Sequence, residues 1–288
     1  MRTYEDYRLL TENALKAYFD RPAVPQQLLL DAMAYSVLAG GKRLRGVLVL
    51  AFCEACGGKA EDALAVARAV EMLHAYSLIH DDLPCMDDDD LRRGKPTNHK
   101  VYGECTAVLA GDALQAEAFG EILRAPLSAD VRARCAAALA DAAGVDGICG
   151  GQLLDMEGEG KPLNEAELNE INSRKTGSLF AAACRMGAIC GGATPAQEEA
   201  AVRYAYHLGV AFQIRDDMLD VLSTTEDFGK PVGSDAASEK NTFMHLYGAE
   251  KCMEMILALT EKAVLELEAF ENREFLSAFV RSLADRKN

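Results

Sequence analysis

The chain has 288 residues, half of them apolar, with nine cysteines, eight prolines and no tryptophan; this composition suits a helical globular protein and excludes a disordered or all-β one. A formal net charge of −15 creates no positive field to draw in a polyanion, so nucleic acid is excluded as a partner. Nine cysteines at irregular spacing do not make a disulfide framework, and Cys53–Cys56 has no second pair or nearby histidine to complete a zinc site, so the thiols are expected to pack in a reducing cytosol.

In chain order, helices are expected near residues 4–19, 25–38, 43–56, 60–81, 104–124, 128–143, 164–190, 195–221, 248–270 and 272–284. The opening MRTYEDYRLL is charged and lacks the apolar core of a signal peptide, and no uncharged run reaches membrane-spanning length, which points to a cytoplasmic protein without stable membrane insertion. Gly40-Gly41, Gly57-Gly58, Gly150-Gly151 and Gly191-Gly192 stand where chains leave helices through left-handed conformations. Pro195 suits a helix start and Asn164 suits a cap. Strand-length alternation, a fixed-period repeat and a linker-like break in composition are all missing, so the expectation is one all-α domain over residues 1–288. Two stretches resist helix: residues 88–103, with Arg92, Arg93, Gly94, Lys95 and Pro96, and residues 223–243, with Gly229, Lys230, Pro231, Gly233 and Lys240. Each follows an aspartate-rich segment and carries basic residues, as a lid or binding loop would.

The aspartate-rich segments are DDLPCMDDDD at 81–90 and DDMLD at 216–220. Carboxylates this dense repel one another unless hard cations with oxygen ligands neutralise them. Asp216 and Asp220, four residues apart, share one helix face with Gln213 before them and Asp217 beside them. Two carboxylates one turn apart suit Mg²⁺ bridging to phosphate oxygens; a solvated acidic face is the alternative, against which the apolar frame FQIRDDMLDVL argues. Asp81 and Asp87, six apart, fall about 120° out of phase on an ideal helix. Pro84 lies between them, so a local break around residues 84–86 is expected to bring Asp87 back toward Asp81.

Basic residues supply the opposite charge. Lys42 and Arg45 follow a double glycine at a helix start, where free amides also favour a diphosphate. Arg92 and Arg93 are adjacent in a loop, and Lys175, Lys230 and Lys240 stand beside polar or glycine-bearing breaks. His74, Ser77 and Asp81 share a helix face, which directs His74 to phosphate contact; His80, on another face, reads as structural, and Arg43 as surface solubility.

With these residues in order, GGKRLR, LIHDDLPCMDDDDLRRGKPTNH, GGQLLD at 150–155, Lys175-Thr176 and FQIRDDMLD, the chain resembles the trans-isoprenyl diphosphate synthases, most closely short-chain farnesyl diphosphate synthases. The resemblance implies an all-α bundle of ten or more helices around a deep central cavity, usually in a homodimer. It implies that Asp81, Asp87 and Asp216 ligate three Mg²⁺ ions, for which Mn²⁺ can substitute, with Asp82, Asp217 and Asp220 in support. Gly41, Lys42, Arg45, His74 and Arg93 match positions that bind isopentenyl diphosphate, and Arg92, Lys175, Lys230 and Lys240 match those that bind the allylic diphosphate. Thr176 and Gln213 match residues near the reacting carbon, with Gln152 and Asp155 in the inner shell.

The implied reaction ionises dimethylallyl or geranyl diphosphate to an allylic cation, which isopentenyl diphosphate attacks to give farnesyl diphosphate and free diphosphate. Tyr76, with Ser77, is read as the floor that limits chain length: Tyr76 precedes Asp81 by five residues, about 7.5 Å along a helix. Ordinary packing in the bundle is the alternative reading of Tyr76. A geranylgeranyl diphosphate synthase shares nearly all these motifs. A metal phosphohydrolase built on His80-Asp81 and a non-catalytic partner subunit are more distant alternatives.

Overall fold

The computed structural model describes residues 2–222 and 242–284. These form α1 (Tyr4–Phe19), α2 (Gln27–Val37), α3 (Leu44–Ala55), α4 (Leu64–Asp81), a hairpin of β1 (Leu91–Arg92) and β2 (Lys95–Pro96), and α5 (Asn98–Tyr102). There follow α6 (Glu104–Arg124), α7 (Ala129–Ala143), α8 (Ile148–Gly158), α9 (Glu165–Asn172), a π-helical turn (Ser173–Gly177), α10 (Ser178–Cys190), α11 (Pro195–Leu222), α12 (Phe243–Glu266) and α13 (Glu274–Ala284). No helix among the described residues is long and apolar enough to cross a membrane.

The core centres where α3 and α4 pack with α10 and α6, with Val47, Leu48, Leu50, Phe52, Leu73 and Phe180 fully buried. A smaller cluster joins Leu168 of α9, Val210, Ile214 and Met218 of α11, and Phe243, Cys252 and Ile256 of α12. A fully buried side chain of this kind contributes about 1.5–3 kcal/mol, so apolar packing sets the register of α11 against the repulsion of its own aspartates. Cys53 and Cys56 are free thiols, both pushed up to about 12, first by burial; they are packing residues.

Local signals account for most boundaries. Thr3 and Asn164 each form a capping box, with Asp6 and Glu167 respectively, and α11 starts at Pro195. The expected 164–190 helix is divided by the π turn, which inserts an extra residue per turn and rotates Lys175 and Thr176 relative to the flanking helices. The helix expected at 60–81 begins with a 3₁₀ turn at Ala60–Ala63, and that expected at 248–270 starts earlier, at Phe243, with a kink at Gly248 (φ 72°).

Two expectations need correction. Gly150 and Gly151 do not end a helix but lie inside α8. A Cβ on Gly151 would stand 2.3 Å from the amide nitrogen of Lys175, and one on Gly150 would stand 1.8 Å from the Val145 carbonyl oxygen, so these glycines permit close packing. Residues 88–103 are not wholly irregular: β1 pairs antiparallel with β2 in the register Leu91↔Pro96, and α5 follows. The turn residues Arg93 (φ 55°) and Gly94 (φ 73°) both take the left-handed conformation that a two-residue hairpin of matched twist demands.

Candidate active site

The first aspartate segment is bent as expected. Helix α4 stops at Asp81, and the Asp87 amide then donates to the Asp81 carbonyl at 2.9 Å, a closure six residues back that no regular helix contains. The amides of Met86 and Asp88 both donate to the Leu83 carbonyl, and Asp88 has a left-handed φ of 49°. The chain thus folds over Pro84 and returns Asp87 to the end of α4.

In each Asp-Asp pair the second residue turns inward. Asp82 is buried and accepts from Arg92 Nε at 2.9 Å; Arg92 Nη2 also donates to Asp89 at 3.2 Å. Asp217 is buried and committed on both oxygens, accepting from Gln213 Nε2 at 2.9 Å and from the Phe243 amide at 2.9 Å, the first residue of α12. Asp220, expected on one helix face with Asp216, is buried, whereas Asp81 and Asp216 are only partly buried. Desolvation pushes the Asp81 carboxyl up to about 6, with Asp87 and Asp82 adding to it and Lys175 and Arg92 opposing.

The π turn connects the two acidic segments. Lys175 Nζ donates to Asp155 at 2.6 Å. Burial would lower its pKa, but Asp155, then Asp81 and Asp87, hold it above the ordinary lysine value. Thr176 Oγ1 donates to Gln213 Oε1 at 3.2 Å, so a chain of hydrogen bonds runs from Thr176 through Gln213 and Asp217 to the start of α12. Gln152 on α8 is buried with neither amide atom hydrogen-bonded among the described residues, as a group awaiting a ligand or water would be.

The cationic residues gather at the start of α3. Arg45 lies over the Phe180 ring, 4.5 Å from its centroid, and its Nε has no hydrogen-bond partner among the described residues. Burial lowers its pKa to about 10, with Arg93 adding and Glu71 and Asp216 opposing. Burial also holds His74 well below the ordinary histidine value, followed by the charges of Arg45, Arg93, Arg92 and Arg43; Arg93 is lowered by burial and then by Arg43. Arg45, His74 and Arg93 therefore share a field with positive charge in excess, which an anion would relieve. Lys42, just before them, is exposed. Arg93 Nη1 donates to the Gly40 carbonyl, and its guanidinium carbon lies 2.8 Å from where a Cβ on Gly41 would stand; the φ of 123° at Gly41 favours glycine, and a side chain there would displace the Arg93 guanidinium.

The structure separates the remaining candidates. Tyr76 is buried, its hydroxyl 3.6 Å from Cys149 Sγ and its ring edge-on to His80. Ser77 turns its hydroxyl onto its own helix, donating to the His74 carbonyl at 3.0 Å. His80 Nε2 lies 3.1 Å from the Val108 carbonyl on α6, and Gly111 leaves room for its ring; this structural role removes the basis for a phosphohydrolase centred on His80-Asp81. Lys230, Lys240 and the tail Arg286-Lys287-Asn288 lie outside the described residues.

Arg43 is the clear miss. It is buried rather than a surface residue: Nε donates to Glu12 at 2.7 Å, Nη2 donates to the Val37 carbonyl at 2.6 Å, and Nη1 stands 3.6 Å from Glu71. The available signal was Glu71, a lone acid in the apolar run AVEMLH, which asks for a buried partner.

Among the described residues, no three His, Cys, Asp or Glu side chains converge closely enough to hold a metal ion. The donor chemistry still fits a hard cation, because Mg²⁺ binds through one or two carboxylates and completes its shell with waters and substrate phosphates instead of a closed protein cage. Burial, the main cause of the raised Asp81 pKa, disfavours its ionised form, and a cation at the carboxylate would offset that.

The sequence matches the polyprenyl synthetase family over residues 26–274. It is 50% identical over 246 residues to a farnesyl diphosphate synthase of Geobacillus stearothermophilus, covering 83% of this chain and 82% of that one. It is 46% identical over 258 residues to a chloroplastic geranylgeranyl pyrophosphate synthase of Capsicum annuum, covering 88% and 69%. The fold matches the crystal structure of an FPP/GFPP synthase from Zymomonas mobilis with a TM-score of 0.86 at 37% identity, covering 98% of this chain and 97% of that one. The chain therefore belongs to the polyprenyl synthetase family, as a trans-prenyltransferase of the farnesyl diphosphate synthase and geranyltransferase type that uses a divalent metal.

Proposed function

We propose that the protein condenses isopentenyl diphosphate with dimethylallyl or geranyl diphosphate, head to tail, to give farnesyl diphosphate and diphosphate. Two diphosphates need two cationic regions, and this pairing carries the reading. One region is Arg45 and Arg93, whose mutual repulsion asks for an anion, with His74 and Lys42 beside them. The other is Arg92 and Lys175, each already paired with a carboxylate. The first suits isopentenyl diphosphate. The second, with Lys230 and Lys240, suits the allylic diphosphate beside Asp81, Asp87 and Asp216, which would hold Mg²⁺, three ions in all.

When bound, the metal supplies Lewis-acid stabilisation of the charge that collects on the departing diphosphate. Lys175 and Arg92 add fixed positive charge toward the same oxygens. Thr176 donates its hydroxyl hydrogen to Gln213, which leaves its oxygen lone pairs to steady the allylic cation, and apolar walls exclude the water that would quench it. Gln152 and Asp155 line the inner shell, with Asp155 orienting Lys175.

The farnesyl product rests on Tyr76, bulky and buried one to two turns from Asp81. Product analysis of the wild type and Tyr76→Ala with isopentenyl diphosphate, each allylic diphosphate and Mg²⁺ tests it. Fifteen-carbon product from the wild type and longer chains from the variant are expected; an unchanged distribution in Tyr76→Ala removes its role as floor. Geranylgeranyl diphosphate is the second reading, because relatives of both types match at similar identity. Twenty-carbon product from the wild type would establish it.

We read residues 1–288 as a single cytoplasmic domain acting as a homodimer. Val101, Val108, Leu109 and Leu123 of α5 and α6 are 38–53% exposed, and apolar side chains so displayed suit a contact with a second copy.

A further inference from the structure

Residues 38–43 carry Lys42 into the site, and three of the carbonyls at or beside this loop are tied down. The Val37 carbonyl accepts from Arg43, the Gly40 carbonyl from Arg93 and the Lys42 carbonyl from the Tyr4 hydroxyl. Arg43 itself has a left-handed backbone (φ 50°, ψ 33°) at the cap of α3, a conformation that is strained for a non-glycine residue. Its guanidinium reaches three elements at once: Glu12 on α1, the end of α2 at Val37, and Glu71 on α4. Glu71 in turn accepts from the Gly46 amide in the first turn of α3 at 2.9 Å, where a Cβ on Gly46 would stand 2.6 Å from Thr11 Cγ2 on α1 and 3.3 Å from Glu71 Cγ.

We propose that the buried Glu12–Arg43–Glu71 triad is the positioning device of the isopentenyl diphosphate site. Arg43 makes no substrate contact. It fixes the backbone between Gly41 and Arg45 from which Lys42 and Arg45 project, while Glu71 sets negative charge beside Arg45 and Arg93, and Glu12 beside Arg93. The triad brings two carboxylates to one guanidinium, so its net negative charge holds the cationic cluster together before the diphosphate arrives. A lysine at position 43 keeps the charge but cannot span three acceptors in a planar fork.

This inference rests on the assignment of that cluster to isopentenyl diphosphate. The test is steady-state kinetics of Arg43→Met, Arg43→Lys and Glu12→Gln with each substrate varied in turn, beside calorimetric binding of inorganic diphosphate, which requires no turnover. For Arg43→Met, KM for isopentenyl diphosphate is expected to rise about tenfold or more, with kcat and the allylic KM within about threefold, as for lost ground-state binding. Arg43→Lys is expected to recover part of the loss. Should Arg43→Met fail to fold, Glu12→Gln carries the test, with an expected rise of about threefold in the same KM alone.

Folded variants with lowered thermal stability but an unchanged KM for isopentenyl diphosphate, or with both KM values raised equally, would overturn the inference and leave the proposed function intact. Wild type that binds diphosphate more tightly than the variants yet makes no prenyl product would overturn the proposed function and leave the positioning role intact.

Discussion

The two acidic segments offer the same residues on opposite supports. The first hangs from the end of α4, folded over Pro84, and is fastened by charge: Asp82 to Arg92, on a two-residue hairpin. The second sits within α11 between Ile214 and Met218, which pack on Phe243 and Ile256 of α12, and is fastened by apolar burial. Both turn the second aspartate of the pair inward as an anchor and leave the first partly open. One segment is therefore held electrostatically and the other by packing, so the two should respond differently to charge and pH.

The largest expected effect treats them alike. Asp81→Asn and Asp216→Asn should each lower turnover about 10³-fold or more if both first aspartates serve the charge that develops on the leaving group; near-normal kcat in either would break the symmetry. Next come the anchors. Asp82→Ala leaves the partly buried Arg92 without its main partner and should cost up to about 3–5 kcal/mol, whereas Asp217→Ala loses hydrogen bonds inside an apolar cluster and should cost about 1–3 kcal/mol. Urea denaturation compares them, and the reverse order would refute the distinction between charge and packing.

A smaller effect concerns Asp81 alone. Its folded pKa of about 6 lies above the ordinary aspartate value of 3.8, so between these values the folded state binds more protons than the unfolded state. The stability from this group is fully present below about pH 4 and lost as pH rises through about 6. Metal-free Asp81→Asn at pH 8 should therefore melt higher than wild type, by roughly 2 °C or more, although it is inactive. Metal affinity, which needs the carboxylate ionised, should fall as pH drops through about 6. A lower melting temperature for metal-free Asp81→Asn contradicts the elevated pKa. Smallest is Thr176→Val, expected to lower kcat about tenfold by removing one oxygen dipole with little change in metal affinity by titration.

Much of this was legible in the sequence because it depends on local signals: the cap at Asn164, the start at Pro195, and the break imposed by Pro84. What was not legible depends on contacts distant in sequence. Arg43 reads as a surface cation until Glu12 and Glu71 are brought to it from other helices. Gly151 reads as a helix terminator until the close approach of Lys175 explains it. The inward turn of Asp217 depends on the Phe243 amide, 26 residues on. The π turn at Ser173–Gly177 leaves no mark in hydrophobic periodicity, yet it sets the directions of Lys175 and Thr176.

The central claim, that two carboxylate segments and two cationic regions drive metal-dependent ionisation of an allylic diphosphate, is tested most directly by the metal dependence of condensation. Purified protein would be stripped of divalent ions by exhaustive chelation and supplied with isopentenyl and geranyl diphosphates, and product would be measured as Mg²⁺ is returned. The account predicts no farnesyl diphosphate without metal and full turnover once it is restored; undiminished turnover in the chelated protein would contradict it.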